Sequence, residues 1–257
     1  MVRLTGALPI HVPVRRDNYH PDFDALEAHV TENTKAIILN TPNNPTGAVY
    51  TAEETKRLVD FAVKHDLWIL DDMIYSTLVW TDVGYTSPCA FEGGSERTIT
   101  IGGWSKGWAM TGWRLGWITG PSNVMDGVKV VNVSSATHVP TFLMPAAAKA
   151  LSLKEEVQEM KDAFAERRVL MHQGLSSLPG FVVPEPEGAF YILCDITGTG
   201  LTDIEFAHQA LEHAQVQVIP GSLMKGGDGL IRISYATSIA NIHEGVRRLR
   251  KWLESRS

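Results

Sequence analysis

The sequence predicts an α/β protein: a mostly parallel sheet within residues 1–150, followed by a smaller α+β domain over residues 151–257. Two observations predict it. Three short apolar runs in the first half each end in a polar cluster and lack strict alternation, which suits strands buried on both faces. Helix signals fall between such runs, the layout of an open α/β sheet. After residue 151 the pattern changes to one long amphipathic helix followed by shorter strands and helices.

The runs are Ala36–Leu39 before Asn40, Leu67–Leu70 before Asp71, and Thr98–Ile101 before Gly102. Between the first two, Thr51-x-x-Glu54 reads as a capping box, with Leu58, Phe61 and Ala62 on one helix face. A fourth run, Leu115–Ile118, stops at Gly120-Pro121. Val157, Met160, Phe164 and Met171 recur at helical spacing, so a long helix is predicted from about Leu151 to Leu178, before Pro179-Gly180. Phe181–Val183 and Ala189–Leu193 read as strands. Thr202-x-x-Glu205 opens another helix, to about His213. Val216–Ile219 and Leu230–Ile233 read as further strands, and Ile242, Val246, Leu249 and Leu253 line a closing helix.

At 44% hydrophobic and 20% charged, 257 residues suffice for a real core. A net charge of −6 offers no basic footprint for nucleic acid or an anionic membrane. Two cysteines, Cys89 and Cys194, are too few for a disulfide scaffold and point to a reducing cytoplasm. No apolar run approaches a membrane span, and the start lacks the layout of a signal peptide.

In open α/β sheets, ligands bind beyond the carboxyl ends of the strands. The residues there are Thr41 to Gly47 after the first run, Asp71, Asp72 and Tyr75 after the second, and Ser105, Lys106 and Arg114 after the third. Each has an ordinary structural explanation. Asn-Pro-Thr-Gly is good turn chemistry, an Asp at a strand end caps helices, a single Lys is normally solvated, and Arg114 could pair with Asp71. Their conjunction on one sheet edge is what calls for chemistry.

In order and interval these motifs resemble the class I/II aminotransferases, fold-type I pyridoxal-phosphate enzymes. The resemblance rests on Asn43-Asn44-Pro45-Thr46-Gly47, Asp72-Met73-Ile74-Tyr75, Ser105-Lys106 through Trp113-Arg114-Leu115-Gly116, and Arg232-Ile233-Ser234-Tyr235-Ala236. It implies that Lys106 forms a Schiff base with pyridoxal 5'-phosphate and later moves the Cα proton. It implies that Asp72 faces the pyridine nitrogen, that Asn44 and Tyr75 hold the ring's 3-oxygen, that Arg114 binds the phosphate beside Ser105, and that Arg232 clamps the substrate α-carboxylate. Asn44 would also border the substrate. The activity implied is amino transfer between an α-amino acid and a 2-oxo acid, in a homodimer. Gly188, in Pro186–Phe190, resembles a small-domain segment that closes near the substrate.

The tryptophans beside Lys106 (Trp104, Trp108, Trp113 and Trp117) read as packing. The histidines lack metal-ligand spacing, and His138 is a candidate substrate contact. Gly226–Gly229 reads as a hairpin turn, since it precedes a strand and not a helix. Against the family pattern the chain begins late. The N-terminal arm, the helix start that holds the phosphate, the ring-stacking aromatic residue and two sheet strands are missing, so an N-terminally truncated chain is expected. Transamination, other Cα chemistry such as β-elimination, and an inactive remnant all stay open. Stoichiometric consumption of a 2-oxo acid separates the first two, and upstream DNA read for an in-frame aminotransferase N-terminus bears on the third.

Overall fold

The computed structural model describes residues 2–256. Its helices, in chain order, are α1 (Phe23–His29), α2 (Ala52–Lys64), α3 (Ser122–Ser135), α4 (Met144–Ala150), α5 (Lys154–Ser176), α6 (Asp203–Ala214) and α7 (Ile239–Glu254). The strands are β1 (Ala36–Asn40), β2 (Trp68–Asp72), β3 (Thr98–Gly103), β4 (Gly116–Thr119), β5 (Tyr191–Asp195), β6 (Ile219–Pro220) and β7 (Leu230–Ser234). They form two compact units. One comprises Lys35–Val169 with Pro186–Tyr191; the other gathers the chain up to Thr34, Leu170–Glu185, and Ile192 onward.

The first unit holds a four-stranded sheet in the order β1-β2-β3-β4. β1, β2 and β3 are parallel, in register so that Asn40 lies opposite Asp72 and Asp72 opposite Ile101. β1 and β2 therefore end level, and β3 runs on to Gly103, two residues further. β4 returns antiparallel to β3. The capping box of α2 forms as the sequence predicts: Thr51 Oγ1 accepts from the Glu54 N–H at 3.1 Å, and the Glu54 carboxylate accepts from the Thr51 N–H at 2.9 Å. Leu58, Val59 and Ala62 form its buried stripe, while Phe61 is only half-buried.

Burial on both faces, expected of the first three runs, is not reached in β1, β2 or β3. In β2, the sealed Ile69 and Asp71 share one face, while Trp68, Leu70 and Asp72 on the other are half-buried. In β1, Leu39 is buried but Ile38 is 58% exposed. All four residues of β4 are exposed, and α3 buries none of its own. Val130, Val131 and Val133 stay open there. The physical reason is that β1 and β4 are edge strands, and no described residue covers the outer face beside β4.

The second unit holds a three-stranded sheet, β5-β7-β6, with β6 and β7 antiparallel. Its core includes Phe206, Ala210, Ile231, Ile242, Leu249 and Trp252, with the Phe206 and Trp252 rings 5.0 Å apart. α6 carries the second capping box, Thr202 with Glu205. Gly174 of α5 lets α7 approach; an added Cβ would lie 2.8 Å from Val246 Cγ2.

Three strand expectations need correcting. Phe181–Val183 makes a single bridge, Val182 to Asp195, because Pro184 and Pro186 cannot extend a ladder. Val216–Ile219 shrinks to β6, which ends at Pro220. β5 starts at Tyr191 and not Ala189, since Ala189 adopts a left-handed φ of 57° that breaks the extended chain. Gly226–Gly229 lies in the connection between the antiparallel β6 and β7, as expected of a hairpin.

Candidate active site

The carboxyl ends of β1, β2 and β3 bring the Asn44, Asp72 and Lys106 segments of the first unit together. Asn40, the last residue of β1, ties two of them. Its Nδ2 donates to the Asp72 carbonyl at 3.1 Å, and its Oδ1 accepts from the Asn44 N–H at 2.8 Å. The Asn44 turn is held from within by Asn43, whose Oδ1 accepts from the Thr46 N–H and hydroxyl at 3.2 and 2.9 Å.

After β2 the chain turns at once. Asp72 Oδ1 accepts from the Ile74 N–H at 3.2 Å, and the Met73 N–H donates to the Ile101 carbonyl at 3.0 Å. Burial pushes the Asp72 carboxyl up, and the Ile74 N–H pulls it part of the way back. The turn delivers Tyr75, which is 4% exposed. Burial raises its phenol pKa, with the Tyr191 phenol adding to the rise; the Asn44 side chain donates to the Tyr75 oxygen and opposes it.

Lys106 lies in the loop that reverses β3 into β4. The loop is closed by Trp104 N–H to Leu115 O at 3.3 Å and Met110 N–H to Trp104 O at 3.2 Å. Ala109 and Arg114 take left-handed φ of 51° and 55°. Gly107 lets this loop approach the Tyr75 turn, because a Cβ there would stand 2.1 Å from Thr77 Oγ1. The half-buried Lys106 Nζ sits 5.9 Å from the Tyr75 ring centre and 5.6 Å from that of Phe190. Cation–π attraction holds it there. Nothing among the described residues engages it in an ion pair, so the amine is open to react.

The remaining predicted residues fall in different places. Ser105 is half-buried beside Lys106. Arg114 is exposed and spends one N–H on the Thr111 carbonyl at 2.9 Å, leaving four donors of its fork. It does not pair with Asp71, whose Oδ2 accepts the Tyr85 hydroxyl at 2.5 Å. Arg232 belongs to the other unit, half-buried on β7 opposite Ile219. His138 is exposed, with Nδ1 2.9 Å from the Val139 carbonyl oxygen. Packing accounts for Trp104, whose Nε1 donates to Ala147 O at 3.1 Å. It does not account for Trp113, 45% exposed at the uncovered face.

Two features escaped the sequence reading. The Gly188 segment groups with the Lys106 unit, not with the smaller domain. The Glu187 and Gly188 N–H groups both donate to Gly47 O, at 2.9 and 2.8 Å, and the Glu187 carboxylate accepts from the Val49 N–H at 2.8 Å. Tyr191 lies against Tyr75, their hydroxyls 3.4 Å apart. Only its place directly after the Pro186–Phe190 motif hinted at it.

A surface concavity of about 620 Å³ lies elsewhere, lined by α6 and α7 residues including Arg247, Arg248 and Lys251. Arg247 and Arg248 are already bound by Glu244 at 2.7 Å, and the concavity shares no residue with the Lys106 cluster.

The model of the aminotransferase class I and II family matches residues 1–249. An aspartate aminotransferase of Pyrococcus abyssi is 40% identical over 260 aligned residues, covering 99% of this chain and 67% of the relative. Aromatic-amino-acid aminotransferase 2 of Thermococcus litoralis is 41% identical with the same coverages. The crystal structure of an aromatic aminotransferase from Pyrococcus horikoshii OT3 superposes with a TM-score of 0.93 at 38% identity, over 96% of this chain and 68% of that one. The chain thus spans about two thirds of the length of the relatives it matches. Matched along nearly its whole length by the family model, and alike in fold to solved members, this chain belongs to the class I and II aminotransferases.

Proposed function

We propose that the protein transfers an amino group between an α-amino acid and a 2-oxo acid with pyridoxal 5'-phosphate as cofactor. The observation that carries this is the meeting of an uncommitted Lys106 amine, the Asn44–Tyr75 hydrogen-bonded pair and the Asp72 carboxyl at the carboxyl ends of adjacent parallel strands. The donor set fits the group: an amine for its aldehyde, a phenol and an amide for its ring oxygen, and a carboxylate for its ring nitrogen. When bound, pyridoxal phosphate supplies an aldehyde and an electron-withdrawing ring that stabilises charge at the substrate Cα.

The chain's own residues would act as follows. Lys106 Nζ would hold the cofactor covalently and, once released, carry the proton from Cα, with the rings of Tyr75 and Phe190 shielding it from bulk water. Asp72 would keep the ring nitrogen protonated from a half-buried position where its charge is little screened. Asn44 and Tyr75 would fix the ring by its oxygen. Arg114 would offer its four unspent donors to the phosphate. Arg232 would bind the substrate α-carboxylate through its planar fork. Relatives named for aspartate and for aromatic amino acids set the donors to try first. The exposed Val130, Val131, Val133 and Phe142 support association into a homodimer, and two unpaired cysteines support a cytoplasmic setting.

The test supplies pyridoxal phosphate, a nitrogen-15-labelled amino acid and an unlabelled 2-oxo acid to the protein. Label appearing in the new amino acid, one for each oxo acid consumed, is the expected result. Ammonia released in place of transfer would move the reading to elimination.

A further inference from the structure

Tyr75 has one hydroxyl proton to give. Its oxygen already accepts from the Asn44 side chain, and its proton is directed at the Tyr191 oxygen 3.4 Å away. The two rings meet edge to face, with centroids 6.0 Å apart and planes at 85°; Phe190 meets Tyr75 likewise at 5.5 Å and 82°. Tyr75 and Tyr191 are 4% and 9% exposed, so bulk water has little access to either hydroxyl.

The placement of Tyr191 is firmly determined. Its segment is bound to the Asn44 turn through Gly47 and Val49, and to the chain after Tyr75 through Ala189 N–H to Leu78 O and Trp80 N–H to Glu187 O, both 2.8 Å. Gly47 makes room for it: a Cβ there would lie 3.2 Å from the Tyr191 carbonyl oxygen. Two segments that meet only in the fold thus bring a second phenol to the one that would hold the cofactor.

We infer that Tyr191 is a positioning residue that competes for the Tyr75 proton and thereby sets how strongly Tyr75 donates to the ring oxygen of the cofactor. The inference rests on the pyridoxal-phosphate reading above. At 3.4 Å the bond is well beyond the usual O–H···O length of about 2.7–2.8 Å, so Tyr191 is a weak competitor and its effect is graded. Removing its hydroxyl frees Tyr75 to donate fully. Fuller donation to the ring oxygen would make the bound cofactor easier to deprotonate. The pH midpoint of the visible band should fall.

The experiment titrates the visible spectrum of the cofactor-loaded protein for wild type, Tyr191→Phe, Tyr75→Phe and the double variant. Circular dichroism of each checks that the ring-preserving substitutions leave the fold intact. The expected result is a midpoint lowered by about 0.5 pH unit in Tyr191→Phe, a ~3-fold change in proton affinity equivalent to ~0.7 kcal/mol. Tyr75→Phe should shift it upward, and adding Tyr191→Phe to Tyr75→Phe should change nothing more, since Tyr191 acts through Tyr75. An unmoved midpoint in Tyr191→Phe, or the same fall in the Tyr75→Phe background, overturns the inference while leaving the cofactor reading standing. A wild-type protein with no titrating band overturns both.

Discussion

Replacing Asp71 by asparagine should change the pH dependence of stability more than stability itself. Asp71 is fully buried, its Oδ2 accepts the Tyr85 hydroxyl, and its Oδ1 has no hydrogen-bond partner among the described residues. Burial pushes its pKa from 3.8 to about 6; the Tyr85 bond opposes the rise and neighbouring Asp72 adds to it. A carboxyl whose folded pKa is raised stabilises the fold below its unfolded value, and that contribution is lost as pH rises through the folded one. At about 1.4 kcal/mol per pH unit, the rise amounts to ~3 kcal/mol lost across the window from 3.8 to about 6. Asparagine has the same shape, keeps an acceptor for Tyr85 and does not ionise. Denaturant or thermal unfolding of both proteins between pH 4 and pH 8 should therefore show the variant gaining on wild type by roughly 3 kcal/mol, or roughly 6–12 °C in Tm, as pH rises. Any constant offset from the new amide drops out of that comparison. A stability difference that stays flat with pH would refute the argument.

Three further outcomes are expected. Lys106→Ala should lower amino transfer by more than ~10²–10⁴-fold, since it removes both the covalent anchor and the proton carrier; near-normal turnover would contradict the assignment. Asp72→Asn should leave cofactor bound but lower kcat by roughly 10²–10³-fold, the scale of losing one preorganised electrostatic partner; steady-state kinetics with a separate binding titration distinguish the two effects. Gly188→Ala would put a Cβ 2.6 Å from Pro42 Cβ and 2.9 Å from Leu78 O, so it should destabilise by about 1–3 kcal/mol. An unchanged Tm there would mean that the loop around Gly188 gives way more easily than its backbone bonds suggest.

What could be read from the sequence was mainly what is local. The capping boxes at Thr51 and Thr202 satisfy helix N–H groups within three residues, so the sequence alone predicts both helices. Asn44, Asp72, Tyr75 and Lys106 were identified because each follows an apolar run whose strand ends where the polar cluster begins. Burial was less legible. Ile38, Trp117 and Ile118 are apolar by composition yet exposed, because they sit on or beside edge strands, and edge position is a property of the whole sheet. Proline and a left-handed alanine cut strand patterns that hydrophobicity alone would extend, at Phe181–Val183 and at Ala189. Asp71 looked like a helix cap or a partner for Arg114; its bond to Tyr85 depends on the path of the chain after β2. Tyr191 was hidden for the same reason. It lies 116 residues from Tyr75 in sequence, and nothing in an apolar strand pattern marks a phenol that meets another phenol.

The most direct test of the account is where pyridoxal phosphate attaches. The protein would be mixed with the cofactor, reduced with borohydride, digested, and its peptides read by mass spectrometry. A single pyridoxyl adduct on Lys106, absent in Lys106→Ala, is the predicted result. Label scattered over surface lysines, or none on Lys106, would contradict the claim that these strand ends assemble a cofactor site.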